Sequence, residues 1–200
     1  KKRKFSQGLD LIINLKNIDL KKPENHIELY VSLQHGKGKQ NKICALVGPE
    51  MKDDAEKICD GCVVEKDFAE FAKNKIKVKK LADEYNFFIA QANIMPKIAA
   101  SFGRTFGPRK KMPNPKAGCI VPPKTNLTHV MDRLRNMVKA VAKDRPLIQV
   151  GVGNDTMSDE HLADNIMAIY KQVEHKLPME KNNIKSIYLK FTMTKPKQVM

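Results

Sequence analysis

Hydrophobic and polar residues alternate at both ends of the chain. Leu9, Leu11, Ile13 and Leu15 fall on one side of an extended segment. Ile27, Leu29, Val31 and Leu33 repeat the rhythm after a connection containing Lys22-Pro23-Glu24-Asn25. A period of two sets one strand face on a core and the other in water, so both segments are expected in one antiparallel sheet with a wet face. Toward the other end, Val138–Val141 and Leu147–Val152 flank Lys143-Asp144-Arg145-Pro146 and suggest a hairpin. Ser158 is suited to cap a long helix with an apolar face of Leu162, Ile166, Ile169 and Val173. Ile184 to Phe191 is the last strand, with Ile187 and Leu189 alternating with Ser186, Tyr188 and Lys190.

The middle of the chain has a different rhythm. Ile43-Cys44-Ala45-Leu46-Val47 is uninterrupted apolar sequence, as in a strand covered on both faces. A short helix through Met51, Ala55 and Ile58 follows, then a strand at Cys62-Val63-Val64. Val78, Leu81, Ala82 and Tyr85 form a helical stripe, and Phe87–Ala90 a third strand. Asn93 is placed to cap a helix through Ile98 and Phe102. Gly107 to Pro123 reads as loop, because its prolines exclude helix and sheet interior. Leu127, Val130, Met131 and Leu134 make one more helical stripe.

This order predicts a mixed α/β (α+β) fold with two domains. Residues 1–41 and 136–200 are expected to form a discontinuous domain with an antiparallel sheet and helices. Residues 42–135 are expected to form an inserted, Rossmann-like three-layer α/β domain. Gly36 and Gly38, two residues apart, mark a turn or hinge before the insertion.

Charge narrows the function classes. The chain carries 37 Lys+Arg against 22 Asp+Glu, a net charge of +15, which suits a polyanionic partner. No apolar stretch approaches the ~20 residues needed to span a bilayer. Neither a signal peptide nor a basic amphipathic membrane helix is visible, so no membrane partner is expected.

Catalytic and metal chemistry find little support. The five histidines are scattered, and no G-x-G-x-x-G or P-loop follows a strand. Gly36-Lys37-Gly38-Lys39 is followed by a strand rather than a helix, which favours a hinge over a phosphate cradle. Cys59 and Cys62 have the spacing of a zinc or redox motif, but Cys44 and Cys119 are single and distant, so reduced, partly buried thiols are expected and no metal. An alternative is a nucleotide-binding enzyme built on the inserted domain. Against it, the first strand of that domain runs into Gly48-Pro49-Glu50, whose acid repels phosphate. No cofactor is expected.

Two basic segments fit RNA. Lys1 to Lys4 precede Phe5, which can stack on a base or ribose or anchor a core. Arg104, Arg109, Lys110, Lys111 and Lys116 lie in or beside the loop stiffened by proline. If both chain ends share a sheet, Phe5 and Gln7 come close to Thr192-Met193-Thr194.

Several segments, in order along the chain, resemble the ribosomal protein L-one family, in its archaeal form. They are Lys4-Phe5-Ser6-Gln7-Gly8-Leu9-Asp10-Leu11, the hinge Ser32 to Lys39, the loop Phe106 to Gly118, the stretch from Val152-Gly153-Asn154 into the long helix, and Thr192-Met193-Thr194-Lys195-Pro196. The resemblance implies a non-enzymatic constituent of the large subunit of the cytoplasmic ribosome. It implies binding to a helical junction in rRNA, forming the mobile stalk beside departing tRNA and assisting its release. It also implies repression of the protein's own mRNA through a leader that mimics the rRNA site, and a monomer when free of the ribosome. Carried over by position, the RNA contacts are Lys4, Phe5, Gln7, Asp10, Gly153, Asn154, Ser186, Thr192, Met193 and Thr194, with Arg109, Lys110, Lys111 and Lys116 as a secondary basic loop. Asp10 suits a ribose 2′-OH as acceptor. The chain departs from the family pattern at three positions. Thr194 and Lys110 stand where Gly is usual, and Gly8 where Ser or Thr is common. The resemblance also implies an amino-terminal helix ahead of the first strand.

Overall fold

The computed structural model of the chain describes residues 4–123 and 125–199. Lys1, Lys2 and Arg3 of the basic amino-terminal run lie outside the described residues. The first stretch carries β1 (Gly8–Leu15) and β2 (Ile27–Ser32). The middle carries β3 (Ile43–Val47), α1 (Lys52–Ile58), β4 (Gly61–Val64), α2 (Phe68–Lys73), α3 (Lys75–Glu84), β5 (Phe87–Gln91), α4 (Met95–Phe106), β6 (Ile120–Val121) and α5 (Leu127–Arg135). The return carries β7 (Met137–Ala142), β8 (Leu147–Asn154), α6 (Asp159–Lys176), β9 (Ile184–Phe191) and β10 (Lys197–Gln198).

The chain divides into two compact units: Lys1–Gln40 with Asn136–Met200, and Asn41–Arg135. Asn41, expected to close the first, belongs to the second. Its backbone N–H donates to the carbonyl of Arg135 and its side-chain amide to that of Leu134.

In the first unit, β10, β9, β1 and β8 form an antiparallel sheet in that order, and β2 pairs with β7 in a separate ladder. Two sequence expectations are corrected here. β1 and β2 do not share a sheet, because β8 and β9 occupy both edges of β1. β7 and β8 are not a hydrogen-bonded hairpin. β7 is paired along its length with β2, while the turn hands β8 to β1, starting with the Leu15 N–H on the Pro146 carbonyl. Alternation fixes which face of a strand is buried, not which strand lies beside it.

The core of this unit is the inward set of β1 (Leu9, Leu11, Ile13, Leu15) packed with Val31, Ile148, Val150 and Val152 and with Leu162, Ile169 and Val173 of α6. Ser158 caps α6, its hydroxyl accepting from the His161 N–H at 3.4 Å. Asp159 and Glu160 in the first turn and Lys176 in the last match the helix dipole.

In the second unit, β4, β3, β5 and β6 form a parallel sheet. All five residues of β3 are fully buried, as the continuous apolar run predicts. Cys44, Leu46, Phe88 and Ala90 pack with Phe68 of α2, Val78 and Ala82 of α3, and Ile98, Phe102 and Phe106 of α4. α1 and α5 pack on each other and on β3. Three further corrections fall in this unit. Ile120–Val121 is a strand inside the expected loop, set by Ala90 N–H on the Cys119 carbonyl. Asn93 caps nothing: a 3-10 turn at Ala92–Ile94 leads into α4 without a side-chain cap. α2 was unexpected, since six residues are too few to show a period of 3.6.

Candidate nucleic-acid interface

β1, β8 and β9 end together, and the expected contact residues gather where they do. Leu9 lies opposite Gly153 on one side and Phe191 on the other. The Thr192 N–H donates to the Gly8 carbonyl at 3.0 Å, and the Gly8 N–H donates to Thr192 Oγ1 at 3.1 Å. Gln7 is buried, and its Oε1 accepts from the Met193 N–H at 3.3 Å. Two large apolar side chains remain in water beside this clasp: Phe5, 51% exposed, and Met193, 58% exposed. Phe5 is therefore not the core anchor its position also allowed. A Phe ring held open next to exposed Lys4 has the chemistry for stacking on a base or ribose.

Asp10 and Ser186 lie on the sheet face opposite Leu11 and Ile13, Asp10 half-buried and Ser186 buried at 8% exposure. Pairing sets Asp10 opposite Lys190, Ile12 opposite Tyr188 and Asn14 opposite Ser186. The Asn14 amide donates to Ser186 Oγ at 2.9 Å, which holds that hydroxyl in place. Gly151 sits beside Asp10 on β8 and adds no side chain to the face. Tyr188 and Ile12 lie between the Asp10 and Ser186 positions and complete a continuous strip.

Gly153 and Asn154 have structural duties. A Cβ on Gly153 would stand 2.3 Å from Leu162 Cδ2 and 2.9 Å from Met157 Sδ, so the glycine lets α6 close on the sheet. The Asn154 side chain accepts from the Thr156 hydroxyl at 2.8 Å and lies against Gly38. Gly38 has φ +80°, and a Cβ there would stand 2.4 Å from Asn154 Nδ2. Gly36, at φ +63°, has its carbonyl held by the buried Asn165 amide at 2.7 Å, and that amide also reaches the Val152 carbonyl.

The departures from the family pattern have local explanations. Thr194 needs no glycine-like backbone, because it is absent from the positive-φ residues. Its Oγ1 accepts from the Phe191 N–H at 3.1 Å and closes the turn after β9. A Cβ on Gly8 would meet Thr192 Oγ1 at 3.7 Å, ordinary contact, so a side chain fits there. Lys110 adopts φ +56°, the conformation in which glycine is at ease. Sequence reasoning missed Asp155, whose Oδ1 accepts from the Gln7 N–H and the Ser6 hydroxyl and fixes the entry into β1.

The secondary basic loop is partly committed inside its own unit. Arg109 is bound to Asp83 and to the Lys79 carbonyl of α3. Lys111 donates to the Ala82 and Tyr85 carbonyls at the end of α3, and burial pushes its amine below the usual lysine range. Lys116 is exposed. Among the described residues no three His, Cys, Asp or Glu side chains assemble to hold a metal, and no helix is long and apolar enough to cross a membrane.

A unit split by a parallel α/β insertion, with exposed aromatic, thioether and basic groups gathered at one end of its antiparallel sheet, defines a two-unit protein with a candidate binding surface at that end. The chain belongs to the Ribosomal protein L1p/L10e family, whose sequence profile matches residues 1–195. It is 43% identical over 199 residues to the large ribosomal subunit protein uL1 of Methanothermococcus thermolithotrophicus, covering 100% of this chain and 91% of the relative. It is 41% identical to the protein of that name from Methanothermobacter thermautotrophicus, over 96% and 88% of the two chains. Against that from Nanoarchaeum equitans the figures are 41%, 96% and 91%.

Proposed function

We propose that this protein is a constituent of the large subunit of the cytoplasmic ribosome that binds rRNA through the clasped ends of β1 and β9. In this reading it anchors to a helical junction, forms the mobile stalk near the tRNA exit site and assists release of deacylated tRNA. The same surface binds the leader of its own mRNA and represses translation. The observation that carries the reading is the pair Phe5 and Met193, held in solvent on either side of the Gly8–Thr192 hydrogen bonds. Thr192 supplies a polar group for phosphate or ribose, Asp10 an acceptor for a ribose 2′-OH, and Lys4 and Lys190 positive charge for phosphate.

The nucleotide-enzyme alternative is disfavoured by chemistry at the end of β3. The Gly48 N–H is taken by Gln91 Oε1 at 2.9 Å, and Glu50, Asp53 and Asp54 crowd the following turns with negative charge. A phosphate there would meet carboxylates rather than free donors.

The test is binding of a stalk-junction rRNA fragment across a salt series. Affinity falls steeply with salt. Phe5→Ala weakens binding about tenfold or more at each salt concentration, as loss of one stacked base contact predicts. Thr192→Val weakens it as well, with circular dichroism unchanged. Wild-type affinity in both variants removes this surface from the binding site. Sequencing the RNA that copurifies from native cells separates rRNA binding alone from rRNA plus own-message binding.

A further inference from the structure

Helix α3 carries a second charged face, wholly within the inserted unit. Lys75, Lys77, Lys79 and Lys80 of α3 are all exposed, as is Lys73 at the end of α2. The acids around them are already taken: Glu70 pairs with Lys77, Asp83 with Arg109 and Glu84 with Lys42. Lys73, Lys75, Lys79 and Lys80 make no ion pair among the described residues, so their charge is uncompensated. Arg109, tied to the Lys79 carbonyl, sets another cation against the same helix. Amid these charges Ile76 stands 68% exposed, whereas the core contacts of α3 are made by Val78 and Ala82.

This arrangement has no use inside the unit. Ile76, Lys79, Lys80 and Asp83 follow the i, i+3, i+4, i+7 spacing of one helix side, turned away from Val78 and Ala82, and exposed Lys75 borders that side one turn before Lys79. Like charges four apart, such as Lys75 and Lys79, oppose helix formation slightly. An apolar residue among uncompensated cations on an exposed helix face fits a ligand with dense negative charge and some apolar surface. The sugar–phosphate backbone of RNA has both. A single isoleucine is too little apolar area to lodge in a bilayer, which calls for several bulky side chains along one helix face.

We propose that Lys75, Ile76, Lys79 and Lys80 form a second RNA-backbone site, independent of the platform on the first unit and indifferent to sequence. The lysines neutralise phosphates and release counterions, while Ile76 rests against ribose.

The probe is a plain RNA duplex of about 20 base pairs without the junction, longer than the span of a duplex-binding module. Binding to the full chain is measured over a salt series. Replacing Lys75, Lys79 and Lys80 together by Gln lowers affinity roughly tenfold or more at low salt. It also reduces the slope of log K against log salt by about two to three, near 0.9 per lost phosphate contact. Ile76→Ser weakens binding severalfold with the slope unchanged, the mark of a non-ionic contact. Phe5→Ala leaves duplex binding as it was, which keeps this site distinct from the junction site. The charge-matched control Lys21→Gln, Lys22→Gln and Lys176→Gln removes the same charge from the first unit and leaves the slope near the wild-type value. An equal loss in control and test triples would show net charge at work and overturn the proposal. So would an unchanged slope in the α3 triple, or binding to phosphatidylglycerol vesicles in place of the duplex. Far-ultraviolet circular dichroism confirms that the variants fold, since every substituted side chain is exposed.

Discussion

Gly8 and Thr192 hold each other across 184 positions of sequence: the Thr192 N–H donates to the Gly8 carbonyl, and Thr192 Oγ1 accepts from the Gly8 N–H. Pairing of β1 with β9 ends at this point, so the exposed groups on either side are positioned by the ladder behind them. Phe5 comes from one end of the chain and Met193 from the other. Neither is placed until the whole inserted unit has been spanned.

The clasp makes a prediction at each of its residues. Thr192→Val removes the acceptor of the Gly8 N–H and lowers unfolding free energy by about 1 kcal/mol, while Thr192→Ser retains most of it. Gly8→Ala acts in the other direction. The new Cβ meets Thr192 Oγ1 at 3.7 Å without a clash, and relieving a strand glycine stabilises by roughly 0.5–1 kcal/mol. Denaturant midpoints of the three variants check both signs.

Glu28 gives a pH dependence. Burial alone would raise its carboxyl, but hydrogen bonds from Lys143, Lys139 and Tyr30 outweigh burial and hold it at about 2, against 4.5 unperturbed. A depressed carboxylate stabilises the fold above its unfolded pKa, and that stability is lost as pH falls through the folded one. The difference in urea midpoint between wild type and Glu28→Gln is therefore full at pH 7 and closes between 4.5 and about 2. After solvent screening the contribution is on the order of 1 kcal/mol. A gap that stays constant across that window would show that the pairing with Lys139 and Lys143 has no energetic weight.

Asn165 of α6 ties the glycine segment to the sheet. Its amide donates to the carbonyls of Gly36 and Val152 from a site that is 1% exposed. Asn165→Ala leaves two carbonyls without that donor and destabilises by about 1–3 kcal/mol. Lys37 and Lys39 flank Gly38, which makes trypsin a reporter of this segment. Limited digestion of the variant cuts after these lysines faster than in wild type. Digestion at the wild-type rate would mean that the segment keeps its path without the clamp.

The sequence made some of this legible and withheld the rest for physical reasons. The alternation through Leu9, Leu11, Ile13 and Leu15 and the unbroken run of Ile43–Val47 report burial on one and on two faces, and the structure buries them so. Strand partners are invisible to alternation, so β2 was assigned to the wrong sheet and the turn at Lys143–Pro146 to a hairpin. At the candidate site, residue chemistry marked Phe5 and Thr192. It could not separate Gly153, which is pressed on Leu162, from a ligand contact, because a glycine serving close packing and one serving a ligand have the same letter. Asp155 was missed because its role lies in two hydrogen bonds to Ser6 and Gln7, far away in sequence.

The cysteine pair supplies the last prediction. Cys59 and Cys62 resemble a redox motif by spacing, yet burial, followed for Cys59 by the neighbouring Cys62 and Asp60, pushes both thiols up to about 11. Redox pairs of this spacing work by the opposite shift, toward thiolate at neutral pH. At pH 8 a thiol near 11 is ionised to about one part in a thousand, against roughly a quarter for an ordinary cysteine near 8.5. The greater nucleophilicity of a more basic thiolate recovers only part of that deficit. Alkylation of Cys59 and Cys62 by iodoacetamide in the native protein is therefore about tenfold or more slower than that of free cysteine, and it keeps rising with pH beyond 9 without a plateau. The same shift makes the fold lose stability as pH climbs from the unfolded thiol value toward 11, since the folded state retains the protons longer. A rate that levels off near pH 7, read by mass spectrometry of the modified peptides, would instead mark a reactive thiolate and reopen a redox role for the pair.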